Sequence, residues 1–169
     1  MATSLDPLSS AAWDDLGLVL MATQDYRNAR HAFGRELEIQ PEDPSALNNL
    51  GTLQLITRDP AAALATYRRI SEAPLRDTGV AMAEHSLGHE LQSQQALEGA
   101  IAKGAQGFAS QIADVFAWRG QRDAAFAWLE RAREQHDGGL AELNTDVLLA
   151  SLHDDPRYRT LRHSINLPD

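Results

Sequence analysis

Apolar and small residues recur along this chain at helical spacing, and the helical groups themselves recur. From Ala11 to Met21 the positions Trp13, Leu16 and Leu20 fall on one helix face, and Ala29, Ala32, Phe33 and Leu37 do the same in the next segment. The stretch "ALNNLGTLQLITRDPAAALATYRRI" then restates "AWDDLGLVLMATQDYRNARHAFGREL". Trp13, Leu16, Gly17, Ala29 and Phe33 each lie 34 residues before Leu47, Leu50, Gly51, Ala63 and Tyr67. A fixed period of this size marks a stack of supersecondary units, here two antiparallel helices per period. Asp-Pro pairs at 6–7, 43–44, 59–60 and 155–156 each precede an apolar-periodic stretch. An Asp N-cap followed by Pro at the first helical position predicts a helix start at each.

The residue types account for the period. Gly17 and Gly51 let a neighbouring helix approach closely, Ala29 and Ala63 do so from the second helix, and Trp13, Phe33 and Tyr67 fill the remaining space. One helix pair cannot bury both faces, so several must stack. This arrangement resembles the tetratricopeptide repeat, in its bacterial type, over most of the chain. The first unit offers Trp13, Leu16, Gly17, Ala29, Phe33 and Pro41, with Glu36 where the family has Ala; the second offers Leu47, Leu50, Gly51, Ala63, Tyr67, Ile70 and Pro74.

Beyond Pro74 the register breaks. The next Leu-Gly is Leu87-Gly88, 37 residues after Leu50-Gly51, which implies about three residues inserted in a loop "EAPLRDTG". A short second helix, "QQALEGAIAK", is expected between an N-cap at Ser93 and a stop at Gly104. A fourth unit places Ile112, Ala113, Phe116, Gly120, Ala125, Leu129 and Ala132 at the family's positions. Gly138-Gly139 reads as helix termination. Two short tail helices are expected, roughly 145–152 and 156–165. The expected architecture is an all-α, right-handed superhelical solenoid with C-terminal capping helices. It forms one domain spanning 1–169, with repeats at about 10–43, 44–76, 78–105 (degenerate) and 106–137 and a cap over 138–169.

Composition narrows the function. Leu and Ala dominate while Val, Ile, Phe and Tyr are sparse, favouring helix over strand. The 15 basic and 24 acidic residues leave a net charge of -9, which repels a phosphate backbone and makes nucleic acid an unsuitable partner. There is no Cys, hence no disulfide and no thiolate chemistry. The opening "MATSLDPLSSAAWDD" lacks a basic start and an apolar core, and no apolar run is long enough for a membrane span. A cytoplasmic location with no membrane partner is the expectation.

Catalytic patterns are missing. His85 and His89, four apart in "EHSLGHE", read as imidazoles sharing one face of the third unit's first helix, yet they lack the third ligand of a zinc site. Asp14-Asp15 and Asp154-Asp155 read as carboxylates at helix beginnings. No phosphate-cradling glycine loop and no Gly-x-Ser-x-Gly elbow occurs. The expectation is a protein with no enzyme activity, cofactor or metal.

What remains is the groove. In the family that the chain resembles, the first helix of each pair lines a concave side. Carried onto this sequence, the resemblance and helical spacing place Asp14, Leu18, Met21, Asn48, Asn49, Thr52, Leu55, His85, His89, Gln92, Asp114 and Trp118 there. Trp118 has a competing role in packing on the tail helices. Such a mixed face suits a protein or peptide segment, with Met21, Leu55 and Trp118 as apolar anchors. Two other readings stay open: a regulatory array belonging to a larger signalling protein, and a self-assembling structural protein. Homo-oligomerisation is possible but nothing indicates it.

Overall fold

The structure, a computed structural model, describes residues 9–167. The Asp6-Pro7 helix start lies outside them. The chain folds as four α-helical hairpins followed by an irregular tail. The hairpins are α1 (Ser10–Ala22) with α2 (Tyr26–Ile39), α3 (Pro44–Ile56) with α4 (Pro60–Tyr67), α5 (Ala73–Ser86) with α6 (Glu90–Gly104), and α7 (Ala109–Trp118) with α8 (Arg122–Gln135). The tail has two 3-10 segments, Gly138–Glu142 and Val147–Leu152, and then α9 (Pro156–Ser164). Among the described residues there is no strand.

Caps set the helix starts. Asp43, Asp59 and Asp155 accept backbone N–H bonds ahead of Pro44, Pro60 and Pro156, as the Asp-Pro pairs predict; Ser9 and Asp25 cap α1 and α2 in the same way. Each hairpin turns through one left-handed residue, Gln24, Arg58, Gly88 and Gly120, at φ +63°, +63°, +78° and +71°. Each is followed by the same closing bond: Asp25, Asp59, His89 and Gln121 donate their N–H to the carbonyls of Leu20, Gln54, Glu84 and Phe116 at 2.8, 2.8, 2.9 and 2.8 Å.

Aligning the hairpins on these turns corrects the third unit. Gly88 is the turn residue, so Ala81 takes the place of Gly17 and Gly51, and Ala113 follows. Twelve residues on stand Ala29, Ala63, Ser93 and Ala125; sixteen on stand Phe33, Tyr67, Leu97 and Leu129; nineteen on stand Glu36, Ile70, Ala100 and Ala132. The interval from Gly51 to Ala81 is 30 residues, shorter than the period rather than longer. "EAPLRDTG" is no loop: it runs from the N-cap Glu72 into α5. The economy lies in α4, which has 8 residues against 14 in α2. Nor is the second helix of this unit short. It begins at Glu90, and Ser93 is buried inside it with Oγ donating to the Ala81 carbonyl at 2.7 Å.

Glycine works here by close approach. A Cβ on Gly51 would stand 2.6 Å from the Tyr67 ring, and one on Gly79 would stand 2.1 Å from the same ring. The buried Tyr67 is therefore clasped between α3 and α5. First helices also touch one another along the stack, α1 with α3, α3 with α5 and α5 with α7, which puts them on the inner side of the curve.

The tail differs from two regular helices. α8 ends at His136, which adopts the left-handed conformation at φ 55°, so the diglycine does not terminate it; Gly138 opens the first 3-10 segment instead. The side chain of Asp137 holds that segment to α7 by accepting from Ser110 N at 3.2 Å and Ser110 Oγ at 3.0 Å. The expected helix over 145–152 is a 3-10 segment capped by Asp146. Tyr158 and Leu161 of α9 pack with Phe126 and Leu129 of α8, Leu143 and Leu152 at the end of the stack.

Candidate functional site

The concave face is partly filled by the chain's own tail. Val147 packs against the cluster formed by Met21, Ala29 and Phe33 of the first hairpin with Leu53 of the second, and Leu148 is buried with Leu55, Met82, Ile112 and Val115. The Asp146 side chain accepts from Leu148 N at 2.8 Å and fixes this bend. Between the tail and the helices lies a cavity of about 190 Å³. Leu18 and Met21 of α1 and Asn48, Asn49 and Thr52 of α3 line one wall, Ser110, Gln111 and Asp114 of α7 another, and the tail the third.

Six residues expected on the groove thus line one cavity: Leu18, Met21, Asn48, Asn49, Thr52 and Asp114. Asp14 stands behind them. It is not a first-turn cap, since α1 has no acidic residue in its first turn; its Oδ1 accepts from Asn49 Nδ2 at 2.8 Å. Thr52 is buried, its Oγ1 3.2 Å from the Tyr67 hydroxyl. Leu55 and Trp118 lie elsewhere, in a shallow depression shared with Ile56, Pro60 and Ser86. There the Trp118 indole N–H donates to Ser86 Oγ at 2.9 Å, and the ring packs against the middle apolar cluster, to which Leu148 of the tail also belongs.

The two imidazoles do not share a helix face. His85 is in the last turn of α5, whereas His89 is the N-cap of α6 beyond the Gly88 turn. His85 Nδ1 is 2.8 Å from Glu90 Oε1, and His89 Nδ1 is 2.8 Å from Glu84 Oε2. Glu84, buried, also takes Arg68 at 3.1 Å. These pairs tie the hairpin turn together. With the exposed Gln92 they lie apart from the cavity.

Charge on the first helices is one-sided. Among the described residues, the first helices α1, α3, α5 and α7 carry Asp14, Asp15, Asp77, Glu84 and Asp114 but a single basic residue, Arg76, which pairs with Asp77 at 3.1 Å. Arginines sit instead on the second helices, the connections and α9. Burial pushes the Asp114 carboxyl well above its usual range, and the neighbouring carboxylates of Asp146, Asp137 and Glu142 add to the rise. Asp146 is raised by burial too. Asp14 is raised, first by burial, and Glu36 is pushed up to about 7 by burial and then by the charges of Asp14 and Asp43. Asp114 and Asp146 are hydrogen-bonded to each other, so this buried pair of acids shares a proton. Among the described residues no three such side chains converge to hold a metal ion, and no helix is long and apolar enough to cross a membrane.

Ser110, Gln111 and the tail residues from Glu142 to Leu148 escape sequence reasoning. Asp146 stands directly before an apolar run in the sequence, but nothing local says which surface that run covers.

Solved structures place the fold. The chain superposes on YrrB, described as a TPR protein with an unusual peptide-binding site, with a TM-score of 0.54 at 14% identity, covering 96% of this chain and 87% of that one. The fold is that of the tetratricopeptide repeat. It also matches the APC/C hetero-tetramer Cut9–Hcn1 with a TM-score of 0.60 at 15% identity, covering 97% of this chain and about a third (33%) of that one. No family model and no curated protein matches the sequence. At these identities the likeness is one of tetratricopeptide fold, with helices stacked as a solenoid.

Proposed function

We propose that the chain is a non-catalytic protein-interaction module that holds a segment of a partner protein on its concave face. The observation that carries this reading is the cavity on that face, where amide and carboxyl groups converge from α3, α7 and the tail beside the apolar Leu18 and Met21. A few placed polar groups among apolar walls suit recognition of a chain segment. The described peptide-binding site of YrrB supports the same use of the fold. Because the first helices are acidic, the segment is basic or neutral, and encounter is steered by charge.

The helices are preformed, so the protein itself loses little freedom on binding. Accommodating a segment at the centre requires only that residues 145–148 shift or make room, since the first helices are already packed together. The test is a screen of 15-residue segments of basic, neutral and acidic composition, with amide NMR shifts mapped for each binder. Shifts centred on Asn48, Asn49, Thr52 and Asp114, and lost in Met21→Lys, are expected. Shifts centred on the outer helices α2, α4 and α6 would refute the reading.

A further inference from the structure

We propose that the partner's segment carries an asparagine followed by two aliphatic residues, and binds on the concave face in the seat that Asp146, Val147 and Leu148 of this chain occupy. The inference rests on the concave-face reading above and names the chemistry of the segment. The chain's own tail shows what the seat accepts. Val147 is half-buried and packs on both the first and the middle apolar clusters, and Leu148 is buried in the middle one. Met21, Phe33 and Leu53 receive the first side chain; Leu55, Met82, Ile112 and Val115 surround the second. Both positions select an uncharged aliphatic group.

The occupant is a strap that can leave. Leu143 and Leu149, on either side of it, are buried in a different cluster, with Phe126, Leu129 and Leu152 at the end of the stack. The stretch 144–148 is therefore anchored at both ends without help from the groove, and Asn144 and Thr145 are exposed. Its backbone bonds stay inside the tail. Thr145 N and Asp146 N donate to the Glu142 carbonyl at 2.8 and 2.9 Å, and Leu148 N donates to Asp146 Oδ1 at 2.8 Å. What ties the strap to the helices is the burial of Val147 and Leu148, together with the bond between the Asp146 and Asp114 carboxyls. Another aliphatic pair can supply that burial equally well.

Asparagine improves on the tail's own residue. Two carboxyls bond to each other only with a proton held between them, and at neutral pH holding it opposes the seating of the strap. An amide at the same place needs no proton. Its Oδ1 accepts the backbone N–H two residues on, as Asp146 does for Leu148, and its Nδ2 donates to the ionised Asp114. A tethered occupant acts at an effective concentration on the order of millimolar, so a partner in trans must be the better ligand to displace it. The exchange of acid for amide makes it better.

The experiment is calorimetry on the full chain with acetyl-Leu-Asn-Thr-Asn-Val-Leu-Leu-Ala-amide, the same peptide with Asp for the second Asn, and a control with Ser-Ser for Val-Leu. Two variants push the strap in opposite directions. Val147→Ser loosens it, and the Asn peptide should bind that protein at least tenfold more tightly than wild type. Asp146→Asn tightens it, and the same peptide should bind several-fold more weakly than to wild type. The Asp peptide should bind Val147→Ser several-fold more weakly than the Asn peptide at pH 7.5, and the Ser-Ser control should not bind. One affinity across all three proteins would overturn the proposal, as would equal binding of the Val-Leu and Ser-Ser peptides. Absence of binding to Val147→Ser at millimolar peptide would overturn it too. If segments from the screen still shift the concave face in that case, the concave-face reading stands and this choice of segment falls.

Discussion

Glu36 stands at a position occupied by Ile70, Ala100 and Ala132 in the other hairpins, and it is only 4% exposed. Its Oε2 has no hydrogen-bond partner. Folding therefore favours the protonated acid, with the carboxyl pushed up to about 7 from an ordinary 4.5. Stability present below the unfolded value is lost as pH climbs from there through the folded value, and the loss levels off above it. At 1.36 kcal/mol per unit, ionised Glu36 costs about 3 kcal/mol at pH 8 and a few tenths at pH 4.5. Glu36→Gln keeps the shape and removes the charge. Urea unfolding of both proteins at the two pH values isolates the effect, because Asp114 and Asp146 titrate in both. The variant should be more stable by about 2–3 kcal/mol at pH 8, allowing for relaxation around the wild-type charge, and nearly equal to wild type at pH 4.5. A difference that does not change with pH would refute the claim that the ionised acid is the source of the cost.

Core and concave face should separate under mutation. Gly51→Leu and Ala63→Leu, which drive side chains toward Tyr67 and the facing helix, should each lose roughly 1–3 kcal/mol or more in urea unfolding, while the half-buried Asn48 tolerates Ala within about 0.5 kcal/mol. Ser93→Ala removes the bond to the Ala81 carbonyl but supplies the residue found at 29, 63 and 125, so the loss should be about 1 kcal/mol or less, read from the urea midpoint. Acidic peptides of the heat-shock-chaperone tail type should show no micromolar binding in calorimetry, because Asp14 replaces the lysine of the clamp that such binders share and, on the register set by Ala81, the buried Leu75 and Gly79 replace its basic groups in the third hairpin. Basic segments should associate more slowly as salt is raised, a trend that stopped-flow measurements would contradict if the rate were constant.

Much of this architecture is legible in the sequence because its determinants are local. Asp43-Pro44 and Asp59-Pro60 act within one turn, and Gly51 with Tyr67 repeats Gly17 with Phe33 at a constant interval. The third hairpin misleads because two physical demands select glycine. Gly88 answers a need for positive φ in the turn, yet beside Leu87 it imitates the close-packing glycine whose place Ala81 occupies. The imidazoles mislead for the same reason: a spacing of four implies a shared face only if no turn intervenes. On the concave face, α1, α3 and α7 contribute side chains that periodicity can place. The tail's share cannot be placed that way, since the docking of Val147 on the cluster of Met21, Phe33 and Leu53 is a tertiary fact with no local signature.

That docking changes how the molecule should come apart. Helical-repeat arrays unfold approximately as a sum of neighbour-to-neighbour terms, so an end can fray while the middle stays folded. Here Val147 joins the apolar clusters of the first and the middle hairpins, and Leu148 is buried in the middle one, so opposite ends of the chain share one core. Fraying either end exposes the other, and partly unfolded arrays lose their advantage. The expected melting behaviour is a single transition with coincident probes, as in a globular domain, from a chain whose sequence reads as a linear polymer of hairpins.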